Sequence, residues 1–226
     1  MTIVERIEAI QKSIEEASAG WEHTPEIIAV TKTVSADRIN EVLGSSIRRI
    51  GENRAQEILE KYGNVDSRLK FDFIGRLQIN KVRNIIDKVS QIQSLDRMEL
   101  AEEIDRRAKQ RNLRMPVLIQ INIGNEPQKG GISPDTLFPF IRQCAALTGL
   151  HVKGLMCVMP NAENKEELIP LFHQMRDLFE KARLEAVAGT DISELSMGMS
   201  EDYLYAVRAG ATHVRIGSAI FGERFY

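Results

Sequence analysis

Short apolar, β-branched runs alternate with segments of helical period along almost the whole chain, and no other property of the sequence restricts the fold as strongly. The first run, Ile27-Ile28-Ala29-Val30, suits a buried strand, and Ser35-Ala36-Asp37 after it has the composition of a helix cap. Strands are expected near 27–33, 48–52, 70–75, 91–95, 116–123, 151–158, 194–197 and 213–217. Between them apolar residues recur at helical spacing: Ile39, Val42 and Leu43, then Leu100, Ile104 and Ala108, then Leu171, Met175, Leu178 and Phe179. Eight such units pair in parallel through right-handed crossovers, which predicts a (β/α)8 barrel over 27–226 rather than an open doubly wound sheet, whose strand order must reverse. Ahead of them, Thr2 and Glu5 have capping-box spacing and Ile3, Ile7, Ile10 and Ile14 form one helical face, so 1–20 reads as an additional N-terminal helix. The stretch from Ala219 to Tyr226 is too short for a full eighth helix, and the N-terminal helix is expected to supply the missing cover. Without linker, repeat or low-complexity segment, 1–226 is expected to form a single domain.

A net charge of -2 leaves no electrostatic footprint for nucleic acid or an anionic membrane, so any anion this protein binds must be held locally. No apolar run reaches the length of a membrane span, and Glu5 and Glu8 interrupt the N-terminal apolar pattern, unlike a secretory signal. A soluble, cytoplasmic protein is expected. Cys144 and Cys157 stand far apart in apolar settings, which fits core packing in a reducing compartment. His23, His151, His173 and His213 show no ligand spacing, and no metal site is expected.

Lys32 closes the first apolar run, at the end of a strand where α/β barrels carry their chemistry. Burial there would lower the pKa of its amine toward nucleophilic use, whereas an ordinary strand-end lysine simply reaches water. The loops after the seventh and eighth strands read Ser196-Met197-Gly198-Met199-Ser200 and Gly217-Ser218-Ala219. Glycine lets backbone approach an anion closely and serine adds a hydroxyl, so the pair reads as a phosphate cup opposite Lys32. An amine facing a phosphate cup points to pyridoxal 5′-phosphate (PLP). Lys81 and Lys129 bring further positive charge near the mouth and read equally well as solvated lysines.

Six motifs extend this reading: AVTKT at 29–33, GENRAQE at 51–57, DFIGRLQINK at 72–81, GLM at 154–156, LSMGMSEDY at 195–203 and VRIGSAIFGER at 214–224. In order and without large gaps, they resemble the YggS/PROSC family of pyridoxal phosphate homeostasis proteins. The resemblance implies a barrel like the N-terminal domain of alanine racemase, with Lys32 as the Schiff-base lysine for PLP. It places Arg215 near the pyridine nitrogen, Ser196, Gly198, Ser200, Gly217 and Ser218 around the phosphate, and Asn53 and Met156 along the ring pocket. Asp72 departs from the pattern, because the family commonly has histidine at that position.

An arginine at the pyridine nitrogen disfavours protonation there and weakens the ring as an electron sink. Racemisation also needs a second base on the opposite face, which alanine racemase takes as a tyrosine from a second domain, and this chain ends at Tyr226. The expectation is therefore a monomeric PLP carrier that supplies the cofactor to apoenzymes in vitamin B6 homeostasis and is not an enzyme. The alternative is a small PLP-dependent amino-acid racemase or lyase.

Overall fold

The computed structural model describes residues 1–126 and 128–222, so Glu223 and Arg224 of the last motif, and Tyr226, lie outside the described residues. The first half of the chain runs α1 (Ile3–Ala17), β1 (Glu26–Val30), α2 (Ala36–Asn40), β2 (Arg49–Glu52), α3 (Ala55–Lys61), β3 (Lys70–Phe73), α4 (Val82–Ile85) and β4 (Val89–Leu95). The second half continues with α5 (Met98–Gln110), β5 (Met115–Ile121), α6 (Leu137–Ala145), β6 (Leu150–Cys157), α7 (Ile169–Glu185), β7 (Glu194–Met199), α8 (Tyr203–Arg208), β8 (His213–Ile216) and α9 (Ser218–Phe221). The strands pair in parallel in chain order and close into a barrel when β8 pairs with β1, Ile28 standing beside Arg215. This is the (β/α)8 architecture expected from the alternation.

The N-terminal helix is built as its sequence predicts. Thr2 Oγ1 accepts the Glu5 N–H at 3.2 Å while Glu5 Oε2 accepts the Thr2 N–H at 2.8 Å, satisfying two donors that a helix start leaves open. Ile3, Ile7, Ile10 and Ile14 are buried on one face, and each such side chain contributes about 1.5–3 kcal/mol relative to exposure. That face packs on α8 and α9, and Arg6 Nη1 donates to the Ile220 carbonyl at 3.2 Å, so α1 covers the barrel where the four-residue α9 is too short to do so. Ser35 does occupy the N-cap position of α2, but its side chain makes no capping bond. In α7 the buried stripe is Phe172, Met175, Phe179 and Ala182, with Leu171 and Leu178 at its margin, because the barrel selects a slightly rotated face of the same amphipathic helix.

Strand alternation then divides the side chains. Val214 and Ile216 join the core between barrel and helices, whereas His213 and Arg215 point inward. Gly154 is required by a close approach: at φ 156°, a Cβ there would lie 1.8 Å from the Glu194 carbonyl oxygen on the neighbouring strand.

Candidate functional site at the barrel mouth

At the C-terminal ends of the strands a cavity of about 560 Å³ opens, within the range that small-molecule sites occupy. Val30 and Lys32 line it from β1 and the turn beyond, Arg215, Gly217 and Ser218 from β8 and its loop, and Met199, Ser200, Glu201 and Asp202 from the end of β7. Met159, Pro160, Asn161 and Lys165 complete the wall after β6. Because β8 closes the barrel against β1, the serine and glycine loops stand beside Lys32, not across the barrel from it. Lys32 itself is half-buried, two residues past the strand, between the buried amine and the solvent-reaching lysine that the sequence left open.

The two loops after β7 and β8 hold one another. Ser200 Oγ accepts the Gly217 N–H at 3.1 Å and the Ala219 N–H at 3.5 Å. Asp202 Oδ1 accepts the Met199 N–H at 2.5 Å, which fixes the turn into α8, and burial pushes the Asp202 carboxyl above its ordinary range. Lys165 Nζ pairs with Glu201 at 2.9 Å and ties the β6 loop to the β7 loop. Lys129 is spent on structure too, donating to the Met159 carbonyl at 2.8 Å and pairing with Glu126.

Arg215 is 4% exposed and forms the floor. Its Nη1 donates to Ser196 Oγ at 2.7 Å and its Nη2 to the Cys157 carbonyl at 2.6 Å. Burial lowers its pKa, although a guanidinium stays charged throughout the physiological range. Among the described residues no ion pair joins Arg215 to a carboxylate, and the residue lines the mouth cavity. Beneath it, Ser196 Oγ donates to Gln93 Oε1 at 2.8 Å, and Gln93 Nε2 donates to Asp72 Oδ2 at 3.1 Å. Asp72 pairs with Arg49 at 2.6 Å, and Arg49 Nη1 meets His213 Nε2 at 2.8 Å. A continuous polar column therefore runs through the barrel from Arg215 to His213 and Glu26, 3.2 Å apart at the opposite end.

Of the nine residues singled out from sequence, Lys32, Ser200, Arg215, Gly217 and Ser218 line one cavity. Ser196 is fully buried beneath Arg215, and Met156 is fully buried within the barrel, in register with Ser196. Gly198 adopts φ 88°, and a Cβ there would lie 2.5 Å from the Ala206 Cβ, so it seats the end of β7 on α8. Asn53 is exposed after β2, its backbone packed on Gly75. The sequence reading missed Met159, Asn161, Lys165 and Asp202. Asp202 was legible as the acid of a Ser-Glu-Asp turn closing the seventh-strand motif, while the others follow β6 without a distinguishing pattern. Gln91 and Gln93 were visible as two amides spaced one strand repeat apart, the mark of an inward face.

Fold and site together define a (β/α)8 barrel with a half-buried lysine, a buried guanidinium and two serine- and glycine-containing loops gathered at its mouth. The chain belongs to the alanine racemase N-terminal domain family, which matches residues 6–225, and its full-length relatives are pyridoxal phosphate homeostasis proteins. It is 42% identical to that protein of Aquifex aeolicus over 97% of this chain and 96% of the relative. The Pasteurella multocida protein is 34% identical over 100% and 99% of the two chains. The solved structure of PipY from Synechococcus elongatus with PLP bound is 30% identical, with a TM-score of 0.85 over 98% of this chain and 100% of that one. The family read from the six motifs is thereby borne out.

Proposed function

We propose that this protein binds PLP in the mouth cavity, attaches it covalently to Lys32 and supplies it to apoenzymes. The observation that carries this reading is the convergence of Lys32, Arg215, Ser200, Gly217 and Ser218 on one cavity of about 560 Å³. That donor set fits the group: an amine for an aldehyde, hydroxyls and loop N–H groups for a phosphate, and a fixed cation for a ring nitrogen. When bound, PLP supplies an electrophilic aldehyde on an electron-withdrawing ring. Arg215, held by Ser196 and the Cys157 carbonyl and unpaired with any carboxylate among the described residues, keeps a proton away from the ring nitrogen and favours storage over carbanion chemistry. Ser200, Gly217 and Ser218 anchor the phosphate, while Ser196 acts from below through Arg215. Gly198 shapes the β7 loop, whereas Asn53 and Met156 are not among the residues that line the cavity. The names of the full-length relatives and the PLP-bound PipY structure support the same reading.

The test is spectroscopic. Wild-type protein incubated with PLP is expected to develop visible absorption that borohydride removes, with the reduced label mapping to the peptide that contains Lys32, and Lys32→Ala is expected to show neither. Labelling of another lysine would overturn the assignment. Transfer is tested by restoring activity to a PLP-dependent apoenzyme. Exchange of amino-acid α-protons in deuterated water by the wild-type protein, lost in Lys32→Ala, would favour the racemase alternative.

A further inference from the structure

The motif GENRAQE at 51–57 is only partly used by the site, yet it carries a cluster directly behind Lys32. Lys61 Nζ donates to the Thr31 carbonyl at 2.9 Å, to Glu52 Oε1 at 2.7 Å and to Glu57 Oε2 at 2.9 Å, so all of its donors are engaged. Thr31 Oγ1 donates to Glu52 Oε1 at 2.7 Å, and the Thr33 N–H donates to Glu57 Oε2 at 2.7 Å. The residues on both sides of Lys32 are thus tied to one charged group, while Lys32 lines the cavity.

Two observations indicate that these ties hold something that would otherwise move. Thr33 has φ 62°, the left-handed conformation that a β-branched residue rarely adopts, and Asn112, Asn125 and Ala186 are the other non-glycine cases among the described residues. The cluster is also shielded: the Glu52 side chain is fully buried, and Lys61 and Glu57 are 11% and 15% exposed, so solvent does not screen it as it screens surface pairs. Burial, the largest influence, works against charge on Glu57, yet bonds from Lys61 and the Thr33 N–H outweigh it and hold its carboxyl below the ordinary range. Burial likewise dominates at Glu52 and pushes its carboxyl up.

We propose that Glu52, Glu57 and Lys61 are positioning residues that hold the Thr31–Thr33 turn in its strained conformation and thereby aim the Lys32 amine into the mouth. The clamp rests on the reading of Lys32 as the attachment lysine. Released from Glu57, Thr33 relaxes toward negative φ, the flanking peptide planes turn, and the side chain of Lys32 leaves the direction of the cavity.

The experiment compares wild type, Glu57→Ala, Glu57→Ala with Thr33→Gly, and Lys61→Met. Amide hydrogen exchange at residue 33 is read in PLP-free protein, and the rate of PLP uptake is read from visible absorption. A hydrogen bond to a charged acceptor is worth about ten- to a hundredfold in an opening equilibrium, so exchange in Glu57→Ala is expected to quicken by about that factor. PLP uptake is expected to slow about tenfold. Thr33→Gly is expected to restore much of that loss, because glycine adopts the left-handed conformation without strain, and a merely stabilising cluster would not respond in that way. Wild-type uptake in Glu57→Ala, or slow uptake that Thr33→Gly leaves unimproved, would overturn the proposal. Should Glu57→Ala fail to fold, Lys61→Met with and without Thr33→Gly makes the same comparison. If the wild-type label maps away from Lys32, the attachment reading fails, while exchange at residue 33 still decides whether the clamp exists.

Discussion

Replacing Asp72 by alanine probes the centre of the polar column. Asp72 is fully buried, pairs with Arg49 Nη2 at 2.6 Å, and accepts from Arg49 Nε at 2.8 Å, Ser90 Oγ at 2.7 Å and Gln93 Nε2 at 3.1 Å. Burial raises the carboxyl pKa, while attraction to Arg49 and the bonds from Ser90 and Arg49 favour the charged form. Burial also opposes charge on Arg49, and attraction to Asp72 and Glu194 outweighs it, so the Arg49 pKa stands above its ordinary value. Alanine would leave Arg49 with Glu26 and Glu194, at 3.6 and 3.8 Å, as its carboxylate partners, and would take one acceptor each from Ser90 and Gln93, which keep the Phe71 carbonyl and Gln91. Breaking a buried pair from one side costs about 3–5 kcal/mol. For a chain of this size each kcal/mol moves Tm by roughly 2–4 °C, so a fall of about 6–20 °C is expected. Asparagine can place its oxygen toward Arg49 and its NH2 toward Ser90, keeping the bonds but not the charge, and should cost about 1.5–3 kcal/mol. Urea titrations at pH 7, followed by circular dichroism, measure both, with the m-value unchanged. An alanine variant within about 1 kcal/mol of wild type, or an asparagine variant as damaging as alanine, would refute the reasoning.

Ser200→Ala removes the hydroxyl that accepts from Gly217 and Ala219, and it should weaken PLP retention about tenfold while shifting stability by no more than about 1 kcal/mol. Equilibrium dialysis against PLP, beside a thermal melt, checks the two halves of that statement. Cys144 and Cys157 have thiols pushed up to about 12 by burial, and native protein should resist alkylation at pH 8 until denaturant is added. The sign of the linkage follows: their ordinary value is 9.0, so as pH rises from about 9 toward 12 the unfolded state loses these protons first and stability falls. Replacing both cysteines by alanine should flatten that part of the pH profile, and a profile unchanged by the substitution would contradict the assignment.

Much of this protein is written in local pattern. The strand runs, the isoleucine face of α1 and the Thr2–Glu5 capping box are set by residues within a few positions of one another, and each appears where its spacing predicts. Lys32, Ser200, Arg215, Gly217 and Ser218 were legible for a related reason, since parallel strands bring their C-terminal ends to one mouth whatever the details of packing. Register was not legible. The pairing of β7 with β8 shifts between Ser196 and Met199, so Ser196 turns inward beneath Arg215 while Ser200 reaches the cavity, although both belong to one motif. Asp72, which by sequence alone marked only a departure from a familiar pattern, became the partner of Arg49, and Glu57 became the acceptor for the turn at Lys32. Those pairings join residues 23 and 24 positions apart across neighbouring units. Closure of the sheet brings them together, and only the closed barrel removes enough water for their charges to matter.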